Sequence, residues 1–346
     1  MSIPNQYGLF DPPPSPFRAH LAERLSQLSR RGVYIGTSSW KYPGWMGQIY
    51  TPERYQTRGR FSQSRFEQTC LAEYGETFPI VCGDFSFYQF PSPDFWAKLF
   101  RSAPPALRFA FKVPEEITVQ RFPLHARYGA RAGMENAAFL DVEMFGRLFL
   151  EALNPYQERV AVLIFEFGER RESAKGAAGA SRQARNSGLT GADGSSVLRE
   201  FSRSFDRPLE EFLRQLPKGW RYSVEIRNRE FMDEEYFGCL RRHGVAHVFS
   251  AWTRMPELAE QIAMPGAHTA DFTVTRALLR AGRPYEMAVK KFQPYAEVQE
   301  ENPGAREALR RIIHDAGERK QNAFIFVNNR LEGNAPGTVA AVVGGD

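Results

Sequence analysis

Arg221–Phe231 reads RYSVEIRNREF. Tyr222 to Ile226 mixes aromatic and β-branched residues and has no Gly or Pro, which predicts a short buried strand. The polarity then jumps. Glu225 and Arg227 stand two apart, so they leave the same face of an extended chain. A carboxylate and a guanidinium at one strand end are costly to bury unless each meets a partner or a ligand. Whether other strands end in the same way decides between an isolated ion pair and the mouth of a site.

Working outward, the nearest upstream strand is Val160 to Phe165, VAVLIF, a nearly continuous apolar run. Such a run fits a parallel strand covered on both faces. Further strands are predicted at Val33–Thr37, Ile80–Phe85, Leu107–Val113, Val245–Ser250, Asp271–Thr275 and Ala323–Val327. Helical stretches separate them: Phe61–Tyr74, Pro93–Phe100, Ala137–Leu153, Val197–Leu216, Asp233–Arg242, Met255–Ala263 and Glu297–Ala316, with a short apolar piece at Thr338–Val343. Eight strands, each followed by something helical, predict an α/β fold: a single (β/α)₈ TIM-like barrel rather than an open doubly wound sheet. No GxGxxG follows the first strand, which argues against a dinucleotide site.

Two segments stand outside this alternation. Residues 1–16 are Pro-rich and read as an extended arm. Phe17, Leu21, Leu25 and Leu28 then fall at helical spacing up to Arg30, and Gly32 ends the helix. The arm and this extra helix make up residues 1–32, with the helix expected outside the barrel or across its bottom, and the barrel domain takes 33–346. After the fourth strand, Glu169 to Ser196 is rich in Gly, Ala and Ser and has almost no large apolar residue. It reads as a disordered, protease-sensitive insertion.

Composition narrows the function classes. Lys and Arg number 45 against 40 Asp and Glu, a net charge of +5 that suits a local anion site better than a nucleic-acid surface. Aromatics at 13% of residues argue for a packed core. Cys70, Cys82 and Cys239 form no CxxC pair, which points to a reducing compartment. The N-terminus lacks the pattern of a signal peptide and no run is long enough to span a membrane, so a cytoplasmic location is expected.

In barrels of this type the chemistry sits where strands run out into the following loops. Those ends offer Trp40 and Tyr42 after the first strand, Asp84 after the second, Lys112 at the third and Glu166 at the fourth. Glu225 and Arg227 end the fifth, Arg276 lies just past the seventh, and Asn328, Asn329 and Arg330 follow the eighth. The carboxylates are candidates for acid–base work, the cations for holding an anion, and the aromatics for stacking on a ring. The competing readings are an ion-pair network that only closes the barrel top, and an aromatic loop (Trp40, Tyr42, Trp45, Tyr50) that only packs. The six histidines show no metal-ligand spacing, and no GxSxG elbow, Walker A loop or Cys-His arrangement appears. No metal and no cofactor are expected.

Five blocks occur in order: IGTSSWKYPGW (35–45), FPIVCGDFSFYQFP (78–91), RFAFKVPEEIT (108–118), SVEIRNREF (223–231) and FVNNRLEGNAP (326–336). They resemble the blocks of the domain-of-unknown-function 72 family, also called YecE-like. The resemblance implies a TIM barrel over about Val33 to Pro336 and names no reaction. It also implies departures. The family's second block usually has Glu and Asn roughly where Cys82 and Asp84 stand. A Gln common after the fourth strand is replaced by Glu166, and a Thr-His step reads Thr118-Val119. The chain thus resembles a divergent subgroup that keeps Trp40, Lys112, Glu225, Arg227, Asn328 and Asn329 as its frame.

Three functions compete. One is a hydrolase or isomerase acting on a small anionic or sugar-like substrate, with Glu225 as acid/base and Lys112, Arg227 and Arg276 as anion clamps. Another is a metabolite-binding protein without chemistry. The third, a phosphoester or nucleic-acid-processing enzyme, is opposed by the mild charge and the missing metal ligands.

Overall fold

A computed structural model describes residues 14–169, 205 and 207–344. Eight strands run parallel: β1 (Val33–Thr37), β2 (Ile80–Gly83), β3 (Arg108–Lys112), β4 (Val160–Phe167), β5 (Tyr222–Ile226), β6 (Ala246–Ala251), β7 (Phe272–Ala277) and β8 (Asn322–Val327). Each is hydrogen-bonded to the strand before and after it, and β1 pairs with β8, so the sheet closes into the expected (β/α)₈ barrel. Closure is tight at Gly36. A Cβ there would stand 1.8 Å from the Ile80 carbonyl oxygen, so only glycine lets β1 and β2 meet.

The period of two along each strand stacks the interior in layers. Cys82, Ala110, Ile164, Val248, Val274 and Phe326 belong to one buried apolar cluster. Two residues further along the same strands come Asp84, Lys112, Glu166, Ser250, Arg276 and Asn328. An apolar plug thus underlies a polar layer, and the polar layer faces the C-terminal mouth.

The surrounding helices begin where side chains can cap them. Ser92 accepts from the Phe95 amide with Pro93 in the first turn. Asp233 accepts from the Tyr236 amide; Glu234 and Glu235 follow it, and Arg241 and Arg242 close that helix, as the helix dipole favours. The N-terminal helix, Pro16–Arg30, lies outside the barrel rather than across its bottom. Arg18 pairs with Glu73 of helix Gln63–Tyr74, and Arg24 donates to the Val343 carbonyl of helix Ala335–Val343. It therefore fills the gap between the first and last helices of the ring.

Several boundaries differ from the sequence reading. β7 extends to Ala277, so Arg276 lies within the strand and not past it. The helix expected at Ala137 starts at Val142, where Asp141 caps the Met144 amide, and widens into a π turn at Gly146–Leu150. The helix expected from Glu297 runs over Pro303–Arg319, because the amides of Gln299 and Glu300 bond the Glu332 carbonyl and Asn302 supplies the cap. Helix Tyr285–Phe292 was not anticipated, and the apolar piece at Thr338–Val343 belongs to the helix Ala335–Val343 capped by Asn334. Apart from Glu169, the insertion at 169–196 lies outside the described residues, as does the arm before residue 14. Among the described residues no helix is long and apolar enough to cross a membrane.

Candidate functional site

The polar layer is a lattice of ion pairs drawn from five strands. Arg276 bonds Glu225, Glu166 at 2.8 Å and Asp84 at 2.9 Å. Arg227 bonds Glu225 at 2.7 Å, Glu166 at 3.0 Å and the Ser250 hydroxyl at 3.0 Å. Lys112 bonds Glu166 at 2.9 Å and sits 3.6 Å from the centroid of the Phe87 ring. Three cations meet three carboxylates, so the layer neutralises itself.

The three carboxylates differ in what they can reach. Glu225 is fully buried. Its Oε1 accepts from Ser250 and Arg227 and its Oε2 from Arg276. Glu166 is only slightly exposed; burial alone would raise its pKa, but Lys112, Arg227 and Arg276 outweigh burial and hold it well below the ordinary carboxylate range. It stays ionised at neutral pH. Asp84 exposes 34% of its side chain and is the carboxylate of the three with most access to solvent. Burial lowers the affinity of Arg276 for its proton, yet Glu225 and Asp84 more than compensate and raise its pKa well above the usual value. Burial followed by the Asp84 charge pushes the Cys82 thiol up, so it is held as a thiol beneath the layer.

Above this floor opens a cavity of about 1060 Å³. Asp84, Lys112, Glu166, Arg227 and Arg276 line its bottom, and Trp40, Tyr42, Asn328 and Arg330 its sides. Nine of the eleven sequence candidates thus meet in one cavity. Glu225 belongs to the floor but is sealed from the cavity. Asn329 stands behind the wall, where its Oδ1 accepts from the Trp45 indole at 3.2 Å and the Ala335 amide at 2.7 Å. The aromatic loop divides in two. Trp45 and Tyr50 are buried and stacked at 6.1 Å, so they pack the loop, while Trp40 and Tyr42 line the cavity. Burial, opposed by Arg330, pushes the Tyr42 phenol up to about 12, which keeps it a neutral hydrogen-bonding group.

The sequence reading passed over Ser250, Trp252 and Tyr285. Ser250 bridges Arg227 and Glu225, and its backbone is clasped by the buried Gln261 amide at 3.0 and 2.9 Å. Trp252 lies 4.1 Å under the Arg227 guanidinium. The same i, i+2 rule that selected Glu225 and Arg227 applies to Ser250 and Trp252 at the end of β6, but neither carries a charge to draw notice. Among the described residues no group of three or more His, Cys, Asp or Glu is arranged to hold a metal.

The family comparison agrees with this architecture. A sequence profile described as protein of unknown function DUF72 matches residues 34–343. The chain belongs to the DUF72 family. Solved DUF72 structures are similar in fold. A family member from Thermotoga maritima superposes with a TM-score of 0.53 at 19% identity, covering 90% of this chain and 97% of that one. One from Enterococcus faecalis V583 gives 0.53 at 15% identity, covering 91% and 96%. No curated protein matches the chain significantly.

Proposed function

We propose that the DUF72 barrel binds a small anionic, sugar-like molecule in this mouth. The observation that carries the reading is the uneven pairing of its cations. Lys112, Arg227 and Arg276 are neutralised within the floor. Arg330 is not: among the described residues no carboxylate lies within ion-pair distance of it, and its guanidinium lies 4.5 Å over the Tyr285 ring at the cavity wall. A guanidinium held flat on an aromatic ring, beside the Tyr295 phenol and with no carboxylate on its edge, suits a carboxylate or phosphate. Asp84 supplies an acceptor for hydroxyls, Tyr42 and Asn328 supply both donors and acceptors, and Trp40 and Trp252 supply flat apolar walls.

A thermal-shift comparison of gluconate, glucuronate and glucose tests this, because a ligand of the folded state raises the unfolding temperature by mass action. The acids are expected to raise it and glucose to do so far less, and Arg330→Ala should remove the difference. Arg330→Ala strands no buried carboxylate, so it is expected to fold. Absence of a shift with either acid, or a shift that survives Arg330→Ala, refutes the reading.

A second reading, catalysis on the bound ligand, is favoured by the access of Asp84. In it Asp84 takes the acid/base role at the ligand, and Glu225, walled in by Ser250, Arg227 and Arg276, holds the cations in place. NMR analysis of the acid recovered after incubation separates the two, since it detects isomers as well as fragments. Turnover that Asp84→Asn abolishes supports catalysis, and an unchanged ligand supports binding alone.

A further inference from the structure

The cavity does not stop at the barrel mouth. It continues outward between helices Gln63–Tyr74 and Pro93–Ser102. Gln63, Ser64, Glu67, Gln68 and Leu71 face it, and their spacing puts them on one side of the first helix. Phe95, Lys98, Leu99 and Ser102 face it from one side of the second. Leu71 and Leu99 are buried and form the bottom, while the amides, Ser64 and Lys98 stand exposed along the edges. A typical small-molecule pocket holds roughly 300–1,000 Å³. This one, at about 1060 Å³, is larger than one small acid needs.

A row of rings links the mouth to the groove. Trp40 meets Phe85 edge-on at 6.2 Å, and Phe85 meets Phe95 at 5.0 Å. Exposure rises along the row, from 6% at Trp40 to 40% at Phe95. A lone exposed Phe needs no explanation. One that continues a line of rings out of a charged cavity offers successive flat apolar surfaces.

We propose that the site takes a short oligosaccharide, its anionic end in the mouth and its neutral units along this groove. The proposal rests on the reading of the mouth given above. Gln63 donates to Glu67 at 2.6 Å and Gln68 to the Ser64 hydroxyl at 3.1 Å, which leaves each amide a second N–H and a carbonyl for sugar hydroxyls, and the C–H faces of pyranose rings pack on aromatic rings. A peptide is less well served by the barrel, whose closed sheet offers no free strand edge for main-chain pairing.

Calorimetric titration of the full chain with gluconate, maltobionate and maltotrionate, and in parallel cellobionate and cellotrionate, tests it. At least one linkage series should gain about tenfold in affinity from the one-unit to the three-unit acid, close to 1.4 kcal/mol. Phe95→Ala and Gln68→Ala, each at an exposed position, should each cut that gain severalfold. Failure of gluconate and every longer acid to bind overturns both this inference and the reading of the mouth. Binding of gluconate with no gain from length, a gain that both variants retain, or displacement of the trimer by an acidic peptide of matched charge with equal affinity overturns this inference alone.

Discussion

Replacing Arg276 with Met tests how the floor is held. Arg276 is 1% exposed and touches all three carboxylates of the floor. Methionine fills much of the stem volume but leaves Glu225 Oε2, in a fully buried residue, without its donor. Glu225 Oε1 keeps Ser250 and Arg227, so one half of one buried carboxylate is stranded. Removing one partner of a buried ion pair costs about 3–5 kcal/mol. With an m-value of about 3 kcal/mol/M, the urea midpoint should fall by about 1–1.7 M. Urea unfolding followed by circular dichroism reads this directly. Glu225→Gln in the Arg276→Met background should recover part of the loss, because an amide is far cheaper to leave half-bonded than a charge, and the pair should couple by about 1 kcal/mol or more. A loss below about 1 kcal/mol, or no recovery on adding Glu225→Gln, refutes the view that the floor is a mutually dependent charge lattice.

Two further outcomes follow from buried or strained positions. His247 is buried and bonded to Tyr236 at 3.1 Å; burial, aided by the nearby His268, lowers its pKa from 6.5 to about 3. Its folded pKa is depressed, so the stability it permits is intact above 6.5 and is lost as pH falls towards 3, the unfolded chain binding the extra proton. His247→Gln should therefore flatten the fall in melting temperature between pH 6.5 and 5, and identical slopes in the two proteins would count against this. Lys320 ends helix Pro303–Arg319 at φ 52°, a left-handed cap that glycine adopts without a Cβ penalty, so Lys320→Gly should stabilise by up to about 1 kcal/mol in urea titration, and destabilisation would refute it.

The barrel was legible because its signals are local and repeated. Apolar runs such as VAVLIF mark strands covered on both faces, and the jump from apolar to charged at each C-terminal end marks the mouth. Period two put Glu225 and Arg227 on one face correctly, but it carries no information about depth. Glu225 pairs in register with Glu166, yet it is sealed by Ser250 from the next strand while Glu166 reaches the cavity. That difference depends on which uncharged side chain the neighbouring strand supplies, and no spacing within β5 encodes it. Asn329 misled in the same way: NNR reads as three polar residues leaving a strand, but the middle one turns back to bond Trp45 and Ala335.

The groove was illegible for a different reason. Gln63, Ser64, Glu67 and Gln68 form the polar side of an amphipathic helix, and in sequence such a side looks the same whether it faces solvent or a ligand. What distinguishes it is a second helix, some thirty residues on, whose own face bears Phe95, Lys98 and Ser102. On the proposed function, Arg330 and the groove would divide the recognition between them. A floor of three cations and three carboxylates presents little net charge to a ligand above it, and its stability depends on remaining paired. On that proposal discrimination by charge would fall to Arg330, whose guanidinium is held by a ring and not by a carboxylate, and discrimination by length to the groove. On this division the residues whose loss most damages folding are those with least to say about the ligand, which is why stability and binding should separate cleanly between Arg276 and Arg330.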